Sequence, residues 1–273
     1  SVVVLDEQLL RVFGSMASEG AVSWLNYARR ILFVPVGVVA QAAGVASYPF
    51  LAQLIAKDDV TRFNETLNTA LRNSLICIVP MGAYLMVAAQ PVVQLLFEQG
   101  AFGAADTQAT AVCLRIMLVT LFCWAIQQII GRAFYARTNT LLPSLTGTLV
   151  ALLSIPMYLG LADVLDAPGI ALASAGSVAL YTLALSFLYR DLHGKEAFAG
   201  LAKTLGIAFG LSGLAAIPAA MSLAVDQVLT LPKLLMAALQ ILLSGLLFTG
   251  CYALFARYYA PSHWAVFLRR GRQ

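Results

Sequence analysis

Long apolar stretches separated by short polar turns run through the whole chain. A bilayer-spanning helix needs about 20 mostly apolar residues. On that measure the pattern predicts spans at roughly 1–17 (a partial helix), 22–55, 65–97, 107–134, 142–162, 168–189, 200–225 and 233–257. The second and third are longer than a bilayer requires, so they should tilt or bend. Pro35 and Pro49 in one, and Pro80 and Pro91 in the other, are the natural bend points. The joints are short: Ala17 to Gly20, Lys57 to Asp59, Glu98 to Asp106, Thr138 to Thr140, and Ala162 to Pro168. The first span begins part-way through a helix, with Ser at position 1, so the chain reads as a piece of a longer protein.

One span departs from the apolar pattern. Ser23, Asn26, Arg30, Val34, Gly37, Gln41, Gly44 and Tyr48 recur at helical intervals and share one face. Apart from Val34 that face is polar or small, whereas Leu25, Leu32 and Val39 lie elsewhere. A charge at membrane depth costs at least ~2.5–3.5 kcal/mol and so faces a wet cavity or a partner. Arg29 and Arg30 are adjacent, and two neighbours cannot both snorkel in one direction, so the stripe predicts a cavity that handles an anion. Arginine's planar fork suits phosphate oxygens. Arg115 has no polar stripe around it and is expected to snorkel. Arg132 and Arg137 flank a helix end as interface anchors. Asp6 and Glu7 offer a carboxylate pair that suits a cation or caps a helix end. Gly206, Gly210 and Gly213 give a small-residue face that permits close helix packing.

Charge placement gives an orientation. Of the 17 Lys and Arg residues, Arg11, Arg29, Arg30 and Arg115 lie within spans and Lys233 sits in one set of loops. All the others fall in the alternate set and the C-terminal tail, which the positive-inside rule makes cytoplasmic. Hydrophobic residues make up 60% of the chain and charged residues only 11%, with mean hydropathy +0.84. Soluble domains carry about 25% charged residues, so this chain could not cover a soluble surface. The net charge of +4 gives no sign of a nucleic-acid partner. Cys77, Cys113, Cys123 and Cys251 are scattered in apolar runs without metal-ligand or redox spacing, and predict packing rather than a metal site. No paired carboxylates at membrane depth and no Ser/His/Asp set appear, which counts against an enzyme acting on lipid phosphates and leaves no catalytic residue to name.

Three ordered motifs carry a resemblance. Gly20 to Arg30, with Pro35-Val36-Gly37-Val38 and Ala46 to Leu51, resembles the eighth helix of the MurJ (MviN) lipid II flippases. Leu96 to Phe102, followed by Asp106-Thr107, is similar to that family's outer loop before its tenth helix. Arg132 to Arg137 with Pro143 is similar to its tenth-to-eleventh helix junction. Residues 197–273 match by hydropathy and position more than by motif.

The resemblance implies an all-α polytopic membrane protein: the second six-helix lobe of a MOP-superfamily transporter plus two extra C-terminal helices. The implied division is 1–191 for the lobe (its first helix partial), 192–257 for the extra pair and 258–273 for a cytoplasmic tail. The implied partners are a first lobe of the same protein, membrane lipids, and lipid II or a similar lipid-linked glycan. The implied function is non-enzymatic: alternating access around a cationic cavity, carrying the lipid-linked precursor across a bacterial inner membrane, with the polyprenyl tail in a groove made with the last two helices. A flippase for another polyprenyl-pyrophosphate glycan, a related exporter, or a membrane-embedded wall-synthesis enzyme or partner are the alternatives. Ser23, Asn26, Arg29, Arg30 and Gln41 are the expected substrate-binding residues, Ser23 and Arg30 at positions the family holds important. The family often has an acidic residue at the Arg29 position and a Glu at that of Phe33, which implies a more positive cavity wall here. In helix eleven it often has amides at the positions of Ser154 and Tyr158, where some members are thought to hold a cation. Asp6 and Ser154 are therefore the candidate cation ligands, with no other cofactor, and the membrane potential is the alternative energy source.

Overall fold

A computed structural model describes residues 2–227 and 232–261; most of the expected tail, including Arg269, Arg270 and Arg272, lies outside them. The described chain is helical, and no strand occurs among those residues. In order the helices are α1 (Val2–Gly14), α2 (Ala21–Pro35), α3 (Ala42–Ala56), α4 (Val60–Val87), α5 (Ala89–Phe97), α6 (Ala104–Leu118), α7 (Leu121–Ala136), α8 (Leu141–His193), α9 (Leu201–Ser222) and α10 (Lys233–Tyr259). Five helical segments, α8 counted as one, are long and apolar enough to cross a membrane, and α6 with α7, bent by 48°, makes a sixth.

Helices occupy each predicted span, although α1 is not among those long and apolar enough to cross a membrane, and the breaks have local causes. Pro35 has no N–H to donate and closes α2; a π-helical turn (Val36–Gln41) then carries the chain into α3 without a loop. The long third span breaks at Ala88, not at Pro80. Pro91 falls in the first turn of α5, where a missing donor costs no intrahelical bond. The two spans expected at 142–162 and 168–189 are the arms of α8. At 53 residues it is far longer than a bilayer is thick, and it reverses at Asp166, whose φ of 55° is left-handed. A Cβ at Gly169 would stand 1.9 Å from the Leu161 carbonyl oxygen, so only glycine admits this hairpin. Asp166 is fastened by Ser18, whose backbone N–H donates to Oδ1 at 2.8 Å and whose hydroxyl donates to Oδ2. This joins the α8 reversal to the α1–α2 turn.

The main core lies where α4, α6, α7 and α8 meet, with Leu67, Leu71, Leu75, Leu114, Ile130, Phe134, Ile170 and Leu185 buried. A separate cluster of Leu211, Ala215, Phe248 and Tyr252 joins α9 to α10. Both helices lean on α4: the Tyr84 hydroxyl donates to the Ile241 carbonyl at 2.8 Å. The glycines of α9 do not mark a tight helix contact, since Gly206, Gly210 and Gly213 have nothing within 4 Å of where a Cβ would stand.

Candidate functional site

The helix carrying the stripe has two unlike faces. Ala21, Leu25, Ala28, Leu32, Val36 and Val39 are buried against the lobe. Ser23, Arg30 and Gln41 are exposed on the outside, and Asn26 is half-buried beside them. Val34, Val38 and Tyr48 share that outer side, so the stripe is amphipathic rather than wholly polar. Arg30 makes no hydrogen bond or ion pair among the described residues; its guanidinium lies 5.8 Å from the Tyr27 ring.

Aromatic contacts fix this end of α2. Tyr27 packs on Phe97 (4.4 Å between centroids) and Phe102 (5.4 Å), and the Trp24 indole N–H donates to Asp106 at 2.8 Å. Asp106 also accepts from the Gly103 N–H at 2.9 Å, which caps α6. The outer-loop motif Leu96 to Asp106 is thus the clamp on the arginine-bearing helix.

Arg29 sits elsewhere than its neighbour. It is buried on the inner face, not on the outer stripe, because adjacent helical residues diverge by about 100°. Its guanidinium forms an ion pair with Asp6 of α1 and lies over the Phe33 ring at 4.9 Å, with Trp124 at 6.0 Å. Asp6 is 2% exposed and accepts two further bonds at Oδ1, from the Tyr158 hydroxyl at 3.0 Å and the Ser174 hydroxyl at 2.8 Å. One carboxylate therefore ties together α1, α2 and both arms of α8. Phe33 has a role here too: where a Glu would compete for Arg29, the ring stacks on it.

This arrangement bears on the cation ligands. Arg29 takes Asp6 Oδ2, and two hydroxyls take Oδ1. Ser154 is not among the partners of Asp6: its hydroxyl donates to Val150 O of its own helix at 2.7 Å. Tyr158, one turn further on, reaches the carboxylate instead. Arg115 also differs from its expected snorkelling. Its Nε donates to the Met86 carbonyl at 3.1 Å, filling an acceptor at the end of α4 that the break at Ala88 leaves without a helical donor.

Known proteins resemble this chain in sequence and in fold. A family model described as Lipid II flippase MurJ matches residues 1–257. The chain belongs to this family. Among curated relatives, each called a probable lipid II flippase MurJ, the chain is 31% identical to that of Rhizobium meliloti over 182 residues. It is 31% identical to that of Haemophilus influenzae over 188 residues and 29% identical to that of Bdellovibrio bacteriovorus over 153. These matches cover 66%, 66% and 56% of this chain but 34%, 36% and 28% of the relatives. The chain thus matches about a third of the length of its curated relatives. A solved structure, lipid II flippase MurJ in an inward closed conformation, superposes with a TM-score of 0.70 at 24% identity. That match covers 94% of this chain and 50% of the other, and it establishes the MurJ fold. Family membership and the apolar helices together make this a multi-pass bacterial membrane protein.

Within the MurJ fold, sequence reasoning missed the partners of Arg29. Ser174 and Trp124 carry no signal of their own: each is an ordinary residue of an apolar helix, and Ser174 stands 168 positions from Asp6. Arg29 itself held one signal. Phe33 lies four residues on, on the same helical side, where a cation and a ring stack.

Proposed function

We propose that this chain forms one wall of an alternating-access lipid II flippase, with Ser23, Asn26, Arg30 and Gln41 facing the substrate and Arg29 bracing the wall from behind. The single observation that supports this most is the contrast between two adjacent arginines. Arg29 is neutralised by Asp6 inside the lobe, while Arg30 is presented on the polar outer face without a carboxylate. A membrane-depth guanidinium of that kind requires an aqueous cavity or an anion, and a pyrophosphate meets its fork in bidentate fashion. A preceding lobe of the same protein supplies the opposing wall, and transport moves the lipid intact, with no bond made or broken. Residues 1–191 act as the lobe and 192–257 as an appended pair, a division supported by the separate apolar cluster of α9 and α10. The occupied Asp6 favours the membrane potential over a cation at that carboxylate as the energy source. An anionic head group leaving the negative side gains about 2.3 kcal/mol per charge per 100 mV.

Two outcomes are expected. The whole encoded protein should restore growth to a bacterium depleted of its own lipid II flippase, and lysis on depletion despite full expression would refute the assignment. The loop at 99–106 should be periplasmic and the segment 190–203 cytoplasmic, on the charge asymmetry. A cysteine at Gly103 should therefore react with an impermeant reagent in spheroplasts, while one at Gly194 should react only after lysis. The reverse labelling would invert the orientation.

A further inference from the structure

Several cations of the chain have a partner that the protein supplies. Arg29 has Asp6, Arg115 has the Met86 carbonyl, Arg72 donates to Thr204 at 3.1 Å, and Lys233 reaches Glu98 at 3.3 Å. Arg30 has none, and neither has Arg132, among the described residues. Arg132 stands on α7, one turn before the helix ends, where its sequence context marks it as an interface anchor. Its side chain instead lies flat across α3 at Gly44. A Cβ on Gly44 would stand 2.6 Å from Arg132 Nε and 2.8 Å from its Cδ, so the arginine can occupy this place only because residue 44 is glycine. The Nε is buried and has no hydrogen-bond acceptor, although Arg132 as a whole is only half-buried. An anchor that merely snorkels would need neither the glycine nor a donor held away from water. Leaving a buried donor unpaired is costly, and Arg137, five residues on, likewise has Nε and Nη2 buried without an acceptor, so this end of α7 carries two such guanidinium groups.

Gly44 is buried beneath Arg132, between the exposed Gln41 and Tyr48, which lie three residues before it and four after. Arg30 and Gly44 are separated by 14 residues, or about 21 Å along the helix. That is several times the length of a pyrophosphate, so the two arginines cannot grip one diphosphate together. We infer that Arg132, seated on Gly44, is a second anion station at the cytoplasmic end of the stripe, where it receives the substrate's pyrophosphate before Arg30 does. This rests on the flippase reading. An incoming phosphate accepts from the terminal N–H groups, while Nε stays seated against Gly44.

The test uses the whole encoded protein, purified in detergent, with undecaprenyl pyrophosphate as the probe and phosphatidylglycerol as the competing source of a lipid phosphate. Binding is read by native mass spectrometry. Arg132→Gln should weaken undecaprenyl pyrophosphate binding about tenfold, and Arg132→Lys should recover only part of that, having charge without the fork. Gly44→Ala retains the arginine but displaces it, and should lose nearly as much. Phosphatidylglycerol binding should stay within about twofold throughout. Melting temperatures identify any variant that fails to fold, and Gly44→Ala with Arg132→Lys carry the test if Arg132→Gln does. Unchanged undecaprenyl pyrophosphate binding in the folded variants overturns the station. An equal loss for phosphatidylglycerol also overturns it, making the site a general headgroup contact. If the unaltered protein fails to bind undecaprenyl pyrophosphate, the flippase reading falls and this inference with it.

Discussion

Replacing Asp6 with alanine is expected to destabilise the folded protein by about 3–5 kcal/mol, the usual consequence of removing one member of a buried ion pair. The Arg29 guanidinium would remain inside the lobe beside Phe33 and Trp124 with its charge uncompensated, and the hydroxyls of Tyr158 and Ser174 would both lose their acceptor. Because Asp6 joins α1, α2 and both arms of α8, the damage should spread beyond one helix. The diagnostic is the double variant Asp6→Ala/Arg29→Met. Exchanging a buried pair for apolar groups is often near neutral, so the second change should recover most of what the first lost. Melting temperature in a fixed detergent, together with the yield of inserted protein, reads both. A double variant that is less stable than either single one, by the sum of their losses, would show that the two residues do not act as a pair.

Periodicity alone was enough to lay out the helices, because a bilayer imposes long apolar runs and the runs here are bounded by unambiguous turns. It was less able to place the breaks. The sequence marks Pro80 as a bend point as clearly as Pro35, yet α4 continues through Pro80 and yields at Ala88, where the first turn of α5 can accommodate Pro91. The hairpin within α8 depends on a close approach of Gly169 to Leu161 that no local pattern announces.

The candidate site was legible as a stripe but not as a set of partners. Helical spacing alone put Ser23, Asn26, Arg30 and Gln41 on one face, and they are exposed or half-buried there. The same spacing shows that Arg29 points away from Arg30, but not what it points at. Asp6, Tyr158 and Ser174 lie 23 to 168 positions from their partners, and only tertiary packing brings them together. Arg132 was hidden for a related reason. A basic residue at a helix end looks like an anchor until the glycine beneath it, 88 positions earlier on another helix, is seen.

The second large effect concerns Arg30. Its removal should cost little stability, since it has no carboxylate or carbonyl partner to lose and its ring contact with Tyr27 is loose at 5.8 Å. Transport should suffer far more, because the proposed bidentate contact of this guanidinium with phosphate has no substitute on this face of α2. Arg30→Lys keeps the charge and loses the fork, so partial activity is expected. The loss should therefore follow geometry as well as charge. The direct measurement is lipid II translocation by the whole encoded protein in proteoliposomes, with Arg30→Ala, Arg30→Lys and the unaltered protein incorporated at equal density and with equal melting temperature. The account predicts transport by the unaltered protein, a reduced rate for lysine and none above background for alanine; full transport by Arg30→Ala would contradict it.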